Sequence, residues 1–349
     1  MPLEGLRWSR DSGSALYDTP QNGRSRTGWG GLMILVVLGH AIQSSLGDAC
    51  FQNHLWNLIY SFHMPAFMAI SGWFAFSNTS KTINVGSLYK RRFNQLMVPY
   101  LSWSLLRYVI SADYSIGNLS RIIIAPDSYF WFLWVLFWIK VIFILNQKIA
   151  AKYHMDEIIP IGITCLLLLG IMVGLNLRVF GFQFLAYYYL FYFLGYVIRR
   201  FNKLQLTNKS SMICLGLLWA VLAWFWNMHD LPVWMPRIPH CPTSLLQYAY
   251  RGVTAILAVL VIVGVARKAL DSSNRFNKFI QEVGILSLGI YTCHLTLMDY
   301  TVKLLRFIVP SYNEEVLIIL GFTICGFLSW VIVNLLKKNM ITARFLLGK

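Results

Sequence analysis

The chain has 349 residues, 57% of them hydrophobic and only 13% charged, with a mean hydropathy of +0.57 and a formal net charge of +16. A soluble chain of this size carries roughly a quarter charged residues, so the composition excludes a soluble core and requires a bilayer. The basic surplus does not mark a nucleic-acid binder, which gathers Lys and Arg on one soluble face; here they fall between apolar stretches and report topology.

Ten stretches of about 17–25 mostly apolar residues are long enough to span. In chain order they are 31–47, 55–76, 93–111, 128–147, 158–175, 182–199, 212–228, 250–267, 284–306 and 315–336. They predict an all-α integral membrane protein, a bundle of about ten transmembrane helices. No small-residue cleavage pattern follows the first stretch, so a removed signal peptide is not expected. Without repeats or long linkers the chain reads as one domain: a cytoplasmic segment over 1–29, a transmembrane domain over 30–336 and a basic cytoplasmic tail over 337–349.

The basic residues alternate with the spans. Taking the N-terminus as cytoplasmic, the inner segments hold Arg7, Arg10, Arg24 and Arg26, then Lys81, Lys90, Arg91 and Arg92, then Lys148 and Lys152. They continue with Arg199, Arg200, Lys203 and Lys209, then Arg267, Lys268, Arg275 and Lys278, and end with Lys337, Lys338, Arg344 and Lys349. The outer segments hold Arg121, Arg178, Arg237, Lys303 and Arg306. This bias predicts that both termini are cytoplasmic. Cys165, Cys214, Cys293 and Cys325 fall in spans as small apolar residues, while Cys50 and Cys241 fall in outer loops, where either a disulfide or two unpaired thiols is open.

Ionisable groups inside a bilayer cost about 2.5–3.5 kcal/mol each on insertion scales, so each needs a reason. His40, in GLMILVVLGHAIQ, lies about ten residues in from the cytoplasmic end, roughly 15 Å at helical rise. His63, in SFHMPAFMAISGWFAF, reaches a similar depth on the next, inward-running span. Two imidazoles on adjacent antiparallel helices can face one another; the alternative is that each is a hydrogen-bonded structural histidine. His294 lies in the ninth stretch with Asp299 five residues on, a spacing that disfavours direct pairing. Lys140 and Arg107 read as residues near span ends whose heads snorkel to the interface, and Arg251 as the outer start of the eighth span. Lys90, Arg91 and Arg92 form a positive-inside anchor, or a set of donors suited to phosphates. No ligand-spaced His, Cys or carboxylate pair predicts a metal, and no P-loop, dinucleotide fingerprint or nucleophile elbow is present. The outer segment over 229–249, rich in Pro and aromatics, fits the membrane interface or the faces of sugar rings. A histidine site inside the membrane remains, with general-base chemistry as its simplest use.

At this point the sequence resembles the membrane acyltransferase-3 family, the O-acetyltransferases of surface polysaccharides, and within it the fucose 4-O-acetylase-like branch. GLMILVVLGHAIQ resembles the family's first helix, with its functional histidine at His40. SFHMPAFMAISGWFAF resembles the second, with His63, Pro65, Ser71 and Gly72. KRRFNQLMVPYLSW resembles the basic segment leading to Pro99 and Tyr100, and YFWFLWVLFWIK the Trp-Phe-Leu helix with Trp131. YYLFYFLGYVIRR and VGILSLGIYTCHL resemble two later helices, the second holding His294. Six motifs in order run from about Gly30 to Leu336.

The resemblance implies transfer of an acyl group, usually acetyl, from acyl-coenzyme A to a hydroxyl of a cell-surface glycan or its lipid-linked precursor, in the inner (cytoplasmic) membrane. It implies His40 and His63 as catalytic residues and acetyl-CoA as donor, with no permanently bound cofactor and no metal. Lys90, Arg91, Arg92, Arg199 and Arg200 are expected to hold the polyanionic donor. Trp131 and His294 are expected to contact substrate or serve as structural polar groups. His40 would act as general base or through an acetyl-imidazole. One departure stands out. Eleven residues before the histidine, where the family carries Arg or Lys, this chain has Trp29, and its acidic position falls at Arg26. The resemblance then implies a differing reading upstream of Gly28 or a copy lacking that cation. A glycan or lipid transporter and a catalytically inactive family member are the alternative readings.

Overall fold

The computed structural model describes residues 21–76, 85–112, 114–126, 130–175, 177, 179–201, 209–236, 238, 241–269, 275–308 and 313–349, and the regular structure among them is helical throughout. The first helix, α1 (Gln21–Leu46), runs into a 3-10 turn over Gly47–Gln52. Each of the ten apolar stretches is mainly helical in its described residues. Six helices among the described residues are long and apolar enough to cross a membrane: those within Thr27–Gln52, Trp131–Lys152, Ile158–Leu175, Val179–Phe201, Thr243–Gly264 and Glu314–Leu336.

The other four stretches depart from a simple span for visible reasons. The second is cut into α2 (His54–Tyr60) and α3 (His63–Trp73), with Phe62 between them at φ −142°. Pro65 explains the cut: it lacks an N–H and its ring crowds the carbonyl four residues back, so it belongs in the first turn of a new helix. The third is α4 (Val85–Arg92), a π turn over Phe93–Met97 and α5 (Val98–Ile110), with Pro99 in the first turn of α5. A short α6 (Ile116–Ile124) follows, then α7 (Trp131–Lys152), α8 (Ile158–Leu175) and α9 (Phe182–Phe201). The seventh stretch lies on α10 (Lys209–Trp224), only 16 residues long, and α11 (Thr243–Ala269) comes next. The ninth lies on the 34-residue α12 (Arg275–Ile308), which carries Glu282, His294, Asp299 and Lys303 along its length. Last come α13 (Glu314–Leu336) and α14 (Met340–Leu347). The final helix docks rather than trailing away: Trp103 Nε1 donates to Leu346 O at 2.9 Å.

Two parallel pairings organise the bundle. α12 lies alongside α1, pairing Ile280 with Gly30, His294 with His40 and Asp299 with Ser44, which advance together along both chains. α9 lies alongside α3 in the same sense, Gly195 on Ala69 and Arg199 on Trp73, Tyr192 on Gly72 and Tyr196 on Phe76. Glycine makes both contacts possible. A Cβ at Gly30 would come within 1.9 Å of Ile280 O, and one at Gly72 within 1.8 Å of Tyr192 O. In lipid, where apolar surface does not drive helices together, such close backbone approach is a main source of packing energy. α13 runs antiparallel to α12, Cys325 Sγ bonding to His294 O at 3.3 Å.

The outward faces are apolar. Leu166 and Leu167 on α8, Leu217 and Val221 on α10, and Ile319 and Phe327 on α13 are exposed, as side chains facing hydrocarbon must be. A second apolar cluster of Ile42, Cys50, Trp56, Ile59, Trp226 and Tyr250 closes the end of the bundle to which α1 leads. Cys50 is buried in it as a free thiol, and Cys241 is free as well.

Candidate active site

Three histidines converge where α1, α12 and the α2–α3 break meet. The rings of His40 and His294 lie 5.1 Å apart between centroids. Tyr60 touches His40 at 6.4 Å and His63 at 4.7 Å, so the ring of Tyr60 links the two imidazoles. His63 and His294 are buried, and each directs Nδ1 at a backbone carbonyl 2.8 Å away, that of Ile59 or Ile290. A carbonyl only accepts, so each Nδ1 carries the hydrogen and each Nε2 holds a lone pair. His294 Nε2 is buried without a hydrogen-bond partner. His40 differs in being only half-buried.

Polar groups surround His40 on the side away from the α1 N-terminus. Gln43, one turn beyond His40 and exposed, accepts from Tyr60 Oη at 3.1 Å. Ser44 Oγ donates to Asp299 Oδ1 at 3.4 Å, and Arg107 Nη2 meets Asp299 Oδ2 at 3.2 Å. Arg306 Nη2 donates to Ser45 O at 2.6 Å. Asp299 therefore pairs with Arg107 rather than His294, and Arg107 is held by a carboxylate rather than reaching freely for the interface.

The expected donor-holding cations lie on helix ends and are not equally available. Lys90, Arg91 and Arg92 form the last turn of α4, where Arg92 Nη1 donates to Gln95 Oε1 at 3.0 Å. On the last turn of α9, Arg199 lies over the Trp73 ring at 5.3 Å, and Arg200 is paired with Asp156 at 2.8 Å. Lys140 is a correction to the sequence reading. It stands in the middle of α7, not near a span end, with Nζ 5.5 Å from the centre of the Tyr192 ring, and Arg92 is its electrostatic neighbour. The helix runs on to Lys152, beyond the apolar stretch, and near its end Asn146 is satisfied inside the protein, bonding Tyr189 Oη and Thr164 Oγ1, both at 3.1 Å.

Trp131 opens α7 and stacks on Phe184 at 4.7 Å and on Tyr188 at 5.1 Å. Trp29 packs against Phe67 at 5.3 Å, its ring incorporated into the aromatic core; the side chain of Arg26 lies outside the described residues. Arg251, expected at the start of a span, is two turns inside α11, which begins at Thr243. Pro242 is the missed signal, because a proline directly ahead of an apolar run marks a helix start.

The acyltransferase-3 family, described as "Acyltransferase domain", matches residues 30–335. The chain belongs to this family. Among curated proteins it is similar to nodulation protein NolL of Mesorhizobium japonicum, 30% identical over 181 residues that cover 48% of this chain and 44% of the relative. It is also similar to nodulation protein NolL of Sinorhizobium fredii, 33% identical over 132 residues that cover 34% of each. The chain spans less than half the length of these curated relatives. No solved structure matches it. Acyltransferase-3 membership stands beside six helices, among the described residues, that are long and apolar enough to cross a membrane.

Proposed function

We propose that this acyltransferase moves an acetyl group from acetyl-coenzyme A to a hydroxyl of a cell-surface glycan or its lipid-linked precursor, in the cytoplasmic membrane, with His40 as general base. The observation that carries the reading is the half-buried His40 beside the fully buried His294, at a point bordered by exposed polar groups. The acceptor oxygen attacks the thioester carbonyl while His40 takes its proton; the C–S bond then breaks, and the imidazolium returns that proton to the departing thiolate. His294, its Nε2 lone pair unsatisfied and its ring against that of His40, positions the base and stabilises its charged form. His63 supports the site from behind Tyr60. An acyl-imidazole on His40 is the covalent variant of the same chemistry.

The donor's phosphates enter from the end bearing Lys90, Arg91, Arg92, Arg199 and Arg200, and Lys140 with Arg92 extends that cationic path into the bundle. Family membership favours acyl transfer over the transporter reading, and the packing of Trp29 gives that residue a structural part that needs no cation. The test is a membrane assay with radiolabelled acetyl-coenzyme A and a lipid-linked glycan pool. Label transferred by wild type and not by His40→Ala is the expected result; equal transfer by both overturns the assignment.

A further inference from the structure

Among the described residues, Arg251 is a cation without a paired carboxylate. Its guanidinium lies over the Trp226 ring at 5.4 Å, Nη2 touches Met228 Sδ at 3.8 Å, and Nε is buried without a hydrogen-bond partner. Arginine cannot shed its proton to escape this position. A charge left part-buried and incompletely bonded is destabilising unless a ligand completes it. Snorkelling would solve the problem by carrying the head to the interface, yet Nε faces protein.

The surroundings indicate what that ligand is. Tyr248, one turn before Arg251 on the same face of α11, meets Tyr187 at 6.0 Å, and Trp226 under the guanidinium packs in the cluster that holds Trp56 and Tyr60, whose ring lies by His40. Trp131 stacks on Tyr188. A guanidinium beside aromatic rings, joined to the histidines through Tyr60, suits a sugar ring that carries an oxyanion. We propose that Arg251, with the wall formed by Trp131, Tyr187 and Tyr188, is the acceptor subsite, and that the acceptor is an anionic saccharide. The anion is either the carboxylate of an acidic sugar or the phosphate joining a sugar to its lipid carrier. The inference rests on the acyl-transfer reading of His40 for its biological meaning but not for its test.

The whole chain, purified in uncharged detergent, is titrated with decyl glucuronide, decyl phosphoglucose and the neutral decyl glucoside, and binding is followed by tryptophan emission and thermal shift. One charged probe binds about ten- to a hundredfold more tightly than the neutral one, the range expected of a charge-assisted hydrogen bond; which probe it is names the source of the anion. Arg251→Gln levels the three probes, and Arg251→Lys retains the preference. Equal binding of all three by wild type, or a preference that survives Arg251→Gln, overturns the proposal. If Arg251→Gln fails to fold, the three probes on wild type decide alone. Charge-selective binding by a wild type that transfers no acetyl group would sink the acyl-transfer reading and leave the anion subsite standing.

Discussion

His40 and His294 lie ring to ring, 5.1 Å apart, on two helices that run in the same direction. Of the two, only His40 keeps accessible surface, while His294 turns Nδ1 to the carbonyl of Ile290. The asymmetry fits the proposed roles, His40 meeting substrate and His294 acting through it.

Removing the two histidines should therefore have unequal effects. His40→Ala lowers kcat/KM for acetyl transfer by about 10²–10⁴-fold, the usual contribution of a general base. His294→Ala lowers kcat by less and leaves the KM for donor unchanged. Initial rates on membranes matched for inserted protein check both, and a larger loss for His294→Ala would reverse the roles.

The crossing of α3 and α9 should tolerate no side chain. Gly72→Ala puts a methyl 1.8 Å from Tyr192 O, and Gly195→Ala puts one 1.8 Å from Ala69 O, both backbone atoms. Each variant should lose at least about 1–3 kcal/mol, the range for overpacking a filled interior. Gly170→Ala on α8, with nothing within 4 Å of its Cβ, is the control and should be neutral. Thermal unfolding in detergent distinguishes them.

Lys140 should trade stability against donor binding. Its ammonium has the Tyr192 ring and the like-charged Arg92 as neighbours, with no carboxylate bonded to it among the described residues. Lys140→Met should raise the unfolding temperature, since replacing a poorly compensated buried charge with an apolar group is often stabilising. It should also raise the KM for acetyl-coenzyme A about tenfold, the loss of one charge-assisted contact. Arg200→Gln should raise that KM far less, because Asp156 already holds the guanidinium.

The Arg107–Asp299 pair should matter little to folding. Its side chains keep 31% and 44% of their accessible surface, so solvent screens the attraction. A double-mutant cycle on unfolding should return a coupling of about 0.2–1 kcal/mol; a much larger value would show that the pair locks α5 to α12.

His40 was legible in the sequence because its depth follows from counting along one apolar stretch, and the basic residues stood out for the same reason. The partner of His40 was not. His63 on the neighbouring span was the obvious choice, but the cut at Phe62 starts a fresh helix there and places Tyr60 between the rings. Pro65, three residues after it, signalled that cut. The neighbour at 5.1 Å comes instead from α12, and no local periodicity encodes a contact of that range. Lys140 and Arg251 were misplaced because apolar runs end before their helices do: α7 runs on to Lys152, with Asn146 satisfied inside the protein, and α11 begins upstream, after Pro242.

The parallel seating of α12 against α1 also sets an order of events during synthesis. Ser44 and Asp299 are 255 residues apart, so α1 must wait for α12 before its glycine-lined flank is covered. Until then the nascent chain has the proposed base but neither His294 nor Asp299 beside it. Any product ending before Arg275 would lack part of the proposed site, which is assembled only once α12 has been made.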